Sequence, residues 1–283
     1  MELRFTKMHG CGNDYIYINC FDREIDDPAS LAVKLSRRHF SVGADGVILV
    51  CPSETADAKM RMFNADGSEG RMCGNGIRCV AKFVHDKGLS PKNPLKIETL
   101  SGTKEIKLSL GGDGLVRTAT VDMGAPILAP RDIPAKFDGD MAVNLPLTVG
   151  GKTYNVTALS MGNPHCVTFV DPDFDLWGFD IKSVGEKFEH HPAFPERVNT
   201  EFVKIISGNE LEMRVWERGS GETFACGTGT CATVVAACLC GFCKIGDRVT
   251  VHLRGGDLFI TYTGKTVIME GPAETAFEGS VTI

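Results

Sequence analysis

The chain has 283 residues, of which 43% are hydrophobic, and its formal net charge is −6. An acidic balance without a block of like charge argues against a nucleic-acid partner, because phosphate binding depends on clustered Lys and Arg. The first ten residues lack the apolar core of a signal peptide, and no stretch approaches the roughly 20 residues of a membrane span. We therefore expect a cytoplasmic protein that binds a small molecule, with no nucleic-acid or membrane partner.

Most segments between glycines and prolines alternate apolar and polar residues, as in residues 103–110 and 249–261. This period is typical of half-buried strands. Three stretches break the period and predict helices, at residues 28–39, 77–87 and 230–239. Clusters of Gly, Asp and Pro at 111–114 and 124–140 indicate a domain boundary near the middle of the chain.

One segment occurs twice. Residues 60–76 read MRMFNADGSEGRMCGNG, residues 213–229 read MRVWERGSGETFACGTG, and the two align without a gap at an offset of 153. Upstream, Gly12-Asn13 is echoed by Gly162-Asn163. A repeat at half the chain length indicates a duplicated domain, because solenoid repeats are only about 20–50 residues long.

The repeat predicts an α/β fold of two pseudo-symmetric domains. We expect each to be a curved, mainly antiparallel sheet or barrel around a central helix, with both helix N-termini directed into one cleft. The first domain would span residues 1–124 and carry Cys73, with the C-terminal strand 273–283 returning to it. The second would span residues 125–272 and carry Cys226.

Each copy places a cysteine before a Gly-x-Gly turn and a helix. A thiol at a helix N-terminus lies at the positive end of the helix dipole, so we expect a lowered thiol pKa. The glycines would let backbone amides approach a carboxylate closely. Two such sites suit removal of a proton from one face of an α-carbon and its return to the other, with one thiolate as base and one thiol as acid. No lysine motif for a pyridoxal Schiff base is evident, which favours a racemase or epimerase that needs no cofactor.

The other cysteines predict no chemistry. Eleven cysteines without a secretion signal argue against a disulfide framework. Cys240 and Cys243 have CxxC spacing but no second pair, so no metal site is predicted. Cys231, Cys238 and Cys240 lie in an apolar run typical of a helix core.

Five motifs resemble those of the diaminopimelate epimerase family: HGCGNDY at 9–15, FNADGSEGRMCGNGIRC at 63–79, SMGNPHCV at 160–167, ERVNTEF at 196–202 and ERGSGETFACGTGTC at 217–231. The resemblance spans Asn13 to Thr230. It implies a pyridoxal-independent epimerase that interconverts LL- and meso-2,6-diaminopimelate in lysine and cell-wall precursor biosynthesis, as a homodimer.

The resemblance also implies residue roles. Cys73 and Cys226 would be the catalytic base and acid, exchanging roles with the direction of the reaction, and His165 and Glu217 would tune which thiol carries the proton. The implied substrate-binding residues are Asn13, Asn64, Gly74, Asn75, Asn163, Asn199, Glu217, Arg218, Gly227 and Thr228. The repeat-matched Glu69 and Glu222 are expected to be structural.

Two positions depart from the pattern. Some family members carry Gln where this chain has Gly46, and some carry Tyr, at a position associated with the dimer contact, where it has Ile268.

Three other functions compete with this interpretation. A proline or hydroxyproline racemase with two cysteines is the nearest, although Arg218 and the asparagines favour a substrate with a second charged end. A phosphate loop at Gly264-Lys265-Thr266 would need Gly at Phe259. A thiol–disulfide exchange protein is the third.

Overall fold

The computed structural model describes residues 2–282, which form two compact units. Unit 1 extends to Asp122 and includes the segment from Glu270 onward, whereas unit 2 comprises Met123–Met269. No helix within residues 2–282 is both long and apolar enough to cross a membrane.

Unit 1 contains two helices and ten strands. The helices are α1 (Pro28–Ser36) and α2 (Gly74–Asp86). The strands are β1 (Glu2–Gly10), β2 (Asn13–Asn19), β3 (Gly46–Cys51), β4 (Ala58–Asn64), β5 (Glu69–Gly70), β6 (Leu95–Glu98), β7 (Lys104–Leu110), β8 (Val116–Asp122), the end of β17 (Val267–Pro272), which crosses the unit boundary, and β18 (Glu274–Thr282).

Unit 2 contains two α-helices, α3 (Ile181–Glu189) and α4 (Gly227–Leu239), and a short 3-10 helix at Pro130–Asp132. Besides the start of β17, its strands are β9 (Ala142–Val149), β10 (Lys152–Ser160), β11 (Pro164–Phe169), β12 (Asn199–Ser207), β13 (Glu210–Glu217), β14 (Gly221–Glu222), β15 (Arg248–Leu253) and β16 (Gly256–Tyr262).

The two units share one topology. In unit 1 the strands pair in the order β18, β1, β2, β3, β4, β6, β7, β8, and only the pairs β2–β3 and β4–β6 are parallel. In unit 2 the order is β9, β10, β11, β12, β13, β15, β16, with the parallel pairs at the equivalent places, β11–β12 and β13–β15. Helices α3 and α4 begin and end 153 positions after α1 and α2.

Each sheet wraps a helix. Residues 74–84 of α2 are all buried, and this helix contacts β1 to β4 and β6 to β8. Helix α4 contacts β10, β11, β12 and β16, and its small apolar residues are buried almost throughout. A helix that is buried on every side needs no amphipathic pattern. The predicted fold, a mainly antiparallel sheet around a central helix in each half, is confirmed.

The helix boundaries differ from the sequence prediction. Helix α1 ends at Ser36, because Arg37 is extended and His39 has a φ of 71°. Helices α2 and α4 begin three residues earlier than predicted, at the glycine that follows each cysteine. The segment 249–261 is two strands, β15 and β16, and not one.

Helix α3 is absent from the sequence prediction. The Asp180 side chain caps it by accepting from the Ser183 amide, as Asp27 does from Ser30 in α1. Gly185 weakens the helical pattern, but a Cβ there would lie 2.5 Å from the Trp216 ring. The glycine is therefore required by packing.

The repeated hairpins β4–β5 and β13–β14 each carry one ion pair between their own residues, and Glu222 of the second hairpin also pairs with Arg254 at 2.9 Å. Arg61 Nε lies 2.9 Å from Glu69 Oε1, and Arg214 Nε lies 2.8 Å from Glu222 Oε1. The expected structural role of both glutamates agrees with these contacts. The Arg61 side chain is 37% exposed and that of Arg214 only 5%. Arg214 Nη1 also donates to the carbonyls of Leu176 (2.9 Å) and Phe179 (2.8 Å).

This difference predicts unequal effects of one substitution at two matched sites. Arg214→Met should lower the free energy of unfolding by about 3 kcal/mol, because it breaks a buried pair and leaves carbonyls without their donor. Arg61→Met, on the exposed pair, should lower it by less than about 1 kcal/mol. Urea denaturation of both variants measures the difference. Equal losses of unfolding free energy would contradict the conclusion that the Arg214 pair stabilises its unit more than the Arg61 pair.

Candidate active site

Cys73 caps the N-terminus of α2. Its backbone is extended (φ −128°, ψ 123°), and its sulfur accepts a hydrogen bond from the Gly76 amide at 3.3 Å. The same sulfur lies 3.3 Å from Asn13 Oδ1, to which the thiol donates. Asn13 begins β2, after the tight β1–β2 turn, and this turn brings the first pair of predicted site residues together.

Asp45 fixes the orientation of the Asn13 amide. Asn13 Nδ2 donates to Asp45 Oδ2 at 2.8 Å, and since a carboxylate only accepts, the amide oxygen must face Cys73. A sulfur opposite an oxygen is favoured as the thiol over the thiolate. Asp45 itself is held by Arg38 Nη2 at 2.9 Å. Sequence reasoning missed Asp45, although it directly precedes Gly46 in the VGADG motif.

The start of α2 is shaped by a buried arginine. Arg78 Nη1 donates to the Gly74 carbonyl at 3.0 Å, and its Nη2 donates to Asn75 Oδ1 at 3.0 Å. The Asn75 side chain is therefore directed to Arg78. The amides of Gly74 and Asn75 belong to the first turn of the helix, where backbone N–H groups have no carbonyl partner within the helix.

The Phe63 carbonyl and the Tyr15 ring leave no space for a side chain at Gly46. A Cβ at Gly46 would lie 2.8 Å from Tyr15 Cε1 and 2.1 Å from the Phe63 carbonyl oxygen, so a glutamine side chain has no room there. Asn64 ends the neighbouring strand β4, and its Nδ2 donates to Ser68 Oγ at 2.9 Å.

Cys226 occupies the equivalent cap of α4. Its sulfur accepts from the Gly229 amide at 3.4 Å and lies 3.5 Å from Thr228 Oγ1. Burial raises the pKa of the Cys226 thiol well above its usual value, and the negative charges of Glu217 and Glu201 raise it further. The expectation that the helix N-terminus lowers this pKa is therefore wrong for Cys226, because desolvation and two carboxylates outweigh the amides.

Glu217 lies at the end of β13, beside the Cys226 thiol. Thr223 Oγ1 donates to its carboxylate. Burial raises the pKa of Glu217, and the neighbouring Thr223 hydroxyl and Cys226 thiol oppose the rise. Glu217 and Cys226 are thus two neighbouring groups that both hold a proton more readily than usual.

His165 lies at the centre of a buried row of polar groups. Its Nε2 is 3.0 Å from Asn163 Oδ1, and its Nδ1 is 2.7 Å from Glu201 Oε1. The side chains of His165 and Glu201 are completely buried. Sequence reasoning missed Glu201, although it lies within the ERVNTEF motif.

The Asn199 side chain is hydrogen-bonded to the backbone of Arg218. Asn199 Oδ1 accepts from the Arg218 amide at 2.9 Å, and Asn199 Nδ2 donates to the Pro164 carbonyl at 2.8 Å. The Arg218 guanidinium is exposed and donates to the Glu196 carbonyl at 3.0 Å.

Within each unit, the structure links some of the predicted residues with one another. Unit 1 links Asn13 with Cys73, and unit 2 links Glu217 and Thr228 with Cys226, Asn163 with His165, and Asn199 with Arg218. Between residues 2 and 282 no disulfide forms and no group of three or more metal-ligating side chains occurs. Burial raises the pKa of the Cys79 thiol to about 11, consistent with a core residue.

Sequence comparison decides the family. The family model described as diaminopimelate epimerase matches residues 5–129 and 157–276. The chain belongs to the diaminopimelate epimerase family. It is 50% identical over 283 residues to the diaminopimelate epimerase of Acetivibrio thermocellus, covering 99% of both chains. It is 46% identical over 283 residues to that of Methanococcus maripaludis strain S2, covering 99% of this chain and 100% of the relative. The family predicted from the motifs is confirmed.

Solved structures of other members of this fold resemble the chain at low identity. A PhzF-family phenazine biosynthesis protein of Enterococcus faecalis has a TM-score of 0.71 at 13% identity and covers 100% of both chains. A probable proline racemase of Agrobacterium radiobacter has a TM-score of 0.66 at 16% identity, covering 99% of this chain and 92% of its own. These likenesses confirm the fold alone.

The Asn13 geometry predicts the effect of Asp45→Asn. An asparagine at this position can accept as well as donate, so the Asn13 amide can turn and donate to the Cys73 sulfur, which favours the thiolate. Alkylation of Cys73 by iodoacetamide at neutral pH should accelerate about two- to tenfold, the equivalent of one hydrogen bond of about 0.5–1.5 kcal/mol. Peptide mass spectrometry measures the rate at Cys73. Asp22→Asn, at a side chain 74% exposed, is the control, and a rate unchanged by Asp45→Asn would refute the assigned orientation.

Proposed function

We propose that this chain is an amino-acid epimerase that needs no cofactor and interconverts LL- and meso-2,6-diaminopimelate by transfer of one proton between the two faces of an α-carbon. It would serve lysine and cell-wall precursor biosynthesis. The repeated helix cap is the observation that carries the proposal. Cys73 and Cys226 are the N-cap residues of α2 and α4, and each sulfur accepts a hydrogen bond from the backbone amide three residues further along the chain. Membership of the family and the names of the relatives at 46–50% identity support the substrate.

The proposed reaction uses one thiolate and one thiol. The thiolate of Cys226 takes the α-proton, and the electrons of the broken carbon–hydrogen bond pass into the substrate carboxylate as an enediolate. The Cys73 thiol then gives its proton to the opposite face of the carbon. One turnover leaves Cys226 as thiol and Cys73 as thiolate, the state from which the reverse reaction starts. For another forward turnover, Cys226 loses a proton to solvent and Cys73 gains one after the product has left.

The surroundings of each cysteine bear on which thiol is ionised. The Cys73 thiol donates to Asn13 and its sulfur accepts from Gly76, whereas burial raises the pKa of the Cys226 thiol. A proton acceptor must therefore serve the enzyme before turnover. Glu217 fits this role because it lies beside Cys226, where each group affects the pKa of the other, and burial raises its own pKa.

The reacting carboxylate would bind to the first turns of the two helices. We assign this contact to the amides of Gly74, Asn75, Gly227 and Thr228, since backbone N–H groups at a helix start bind anions. The same amides would stabilise the enediolate as negative charge develops on the carboxylate oxygens.

The distal end of the substrate is assigned to Asn64, Asn199 and Arg218. The exposed guanidinium of Arg218 can bind a carboxylate through two parallel hydrogen bonds. Asn199 uses its amide to hold Pro164 and the Arg218 backbone, so its proposed part is to place Arg218. Asn163 would similarly orient His165. A second charged end favours diaminopimelate over proline.

We further propose that the protein acts in the cytoplasm as a homodimer. Its eleven cysteines suit a reducing compartment. Ile268, where some family members carry Tyr, is partly exposed on β17 between the buried Val267 and Met269.

Light scattering should give twice the chain mass of 30.6 kDa at micromolar concentration. Ile268→Glu, which places a charge in the proposed contact, should reduce the mass to that of one chain. Val33→Glu, at another exposed aliphatic residue (43%), is the matched control and should leave the dimer intact. A single-chain mass for the unmodified protein would rule out the dimer.

Incubation with LL-diaminopimelate in heavy water, without added cofactor, tests the reaction. We expect conversion to the meso isomer with deuterium at one α-carbon only. Cys73→Ala and Cys226→Ala should each lower kcat by at least about a hundredfold, because each removes one proton carrier. Cys238→Ala, outside the site, should react like the unmodified protein. The proposal would be refuted if the protein racemised proline faster than it epimerised diaminopimelate. Normal turnover by Cys73→Ala or Cys226→Ala would also refute it.

A further inference from the structure

Glu201 is a buried acid that the reaction described above does not use. It lies on β12 with its side chain fully buried, and its Oε1 is 2.7 Å from His165 Nδ1. Its Oε2 has no hydrogen-bond partner among residues 2–282. A buried carboxylate oxygen without a partner destabilises the folded state, so packing alone does not account for this residue.

The repeat demonstrates that the fold does not need an acid here. The residue 153 positions before Glu201 is Ile48. A Cβ on Gly76 would lie 2.8 Å from Ile48 Cδ1, and one on Gly229 would lie 2.6 Å from Glu201 Oε1. Both side chains therefore fill the same place beneath the second glycine of their Cys-Gly-x-Gly turn, one as an alkyl group and the other as a carboxylate.

The partner of Glu201 differs between the units in the same way. Strand register pairs Tyr15 with Gly46 in unit 1 and His165 with Asn199 in unit 2, so Tyr15 and His165 hold equivalent positions. An ionisable pair in unit 2 thus replaces a tyrosine and an isoleucine in unit 1. Of the two cysteine caps, that of Cys226 is the one beside this pair.

Several titratable groups face Glu201. They are His165 and Cys166 on β11, Glu217 on β13 and Cys226 at the start of α4. Burial is the main cause of the raised pKa values of Cys166, Cys226 and Glu217. The negative charge of Glu201 raises each of these pKa values further. The charge of His165 acts on the pKa of Glu217 in the opposite sense. The state of the His165 ring therefore affects the proton held by Glu217, and the charge of Glu217 in turn affects Cys226.

We propose that Glu201 is a positioning residue of the epimerase: it keeps a proton on Nδ1 of His165, so that Nε2 is the only ring nitrogen that gains or loses a proton. An ionised carboxylate accepts and cannot donate, which fixes the proton on Nδ1. Protonation of Nε2 then forms an imidazolium whose positive charge favours the ionised form of Glu217, the neighbour of Cys226. Loss of that proton, with the Asn163 amide turned so that its Nδ2 donates to Nε2, returns a neutral ring of one defined tautomer. The proposal rests on the proposed function and extends it to the control of the Cys226 thiol.

Nitrogen-15 NMR of the histidine rings tests the tautomer directly in the unmodified full-length protein. Correlations between ring protons and ring nitrogens, assigned to His165 by comparison with His165→Gln, should show a proton on Nδ1 at neutral pH. Glu201→Gln should move the proton partly to Nε2, because a carboxamide can donate to Nδ1. An unprotonated Nδ1 in the unmodified protein would overturn the proposal.

Kinetics supply the second measurement. Glu201→Gln should lower kcat for diaminopimelate by at least about tenfold with KM little changed, and should shift the pH profile of kcat, since the ring no longer holds one protonation pattern. Glu201→Ile, which copies unit 1, should still fold but lose the same activity. Lost stability with a normal kcat in the folded fraction would assign Glu201 a structural role only.

Thr200→Val is the matched control. Thr200 neighbours Glu201 on β12 and is fully buried, and its hydroxyl has no hydrogen-bond partner within residues 2–282, so valine removes no contact. Its histidine spectrum and kcat should equal those of the unmodified protein. If no epimerisation occurs in any variant while the His165 tautomer responds to Glu201→Gln, the proposed function fails and the positioning role stands. If the protein is a normal epimerase whose His165 tautomer does not respond to Glu201→Gln, the positioning role fails and the proposed function stands.

Discussion

The cap formed by a cysteine side chain at the start of a buried helix is the interaction on which the candidate site depends. Helix starts normally use Ser, Thr, Asp or Asn as the capping residue. Here the sulfur of Cys73 or Cys226 accepts the amide three residues ahead. The position of the sulfur atom is therefore fixed by the geometry of the helix backbone. Because α2 and α4 are packed against several strands each, the sulfur is held by the core of its unit.

The second glycine of each turn is necessary for this cap. A Cβ at Gly229 would lie 3.3 Å from the Cys226 sulfur and 2.6 Å from Glu201. A larger residue would therefore displace the helix from the strand beneath it or push the sulfur out of line with the amide. The sequence pattern Cys-Gly-x-Gly is in this sense a packing requirement as well as a signature of anion binding.

The repeat and the cysteine turns can be predicted from the sequence, whereas the pKa of Cys226 cannot. The gapless alignment at an offset of 153 indicates two equivalent units, because each copy contains the hairpin and helix start that organise its sheet. The pKa of Cys226 depends on Glu201 and Glu217, which strands β12 and β13 bring to the helix start. A helix dipole can be inferred from local sequence, but desolvation by distant strands cannot. The missed helix α3 is recoverable in principle, since Asp180 and Ser183 repeat the cap of α1 at the same offset.

The two caps share a backbone and differ in the groups that control their protons. In unit 1, Asp45 orients one neutral amide, and that amide accepts from the Cys73 thiol. In unit 2, the equivalent asparagine bonds to His165, and carboxylates surround Cys226. The two thiols therefore have different partners for their protons, an amide oxygen at Cys73 and carboxylates at Cys226. Duplication supplied two helix starts of equal geometry, and substitution of a few buried side chains, such as Ile48 against Glu201, is sufficient to make them chemically distinct.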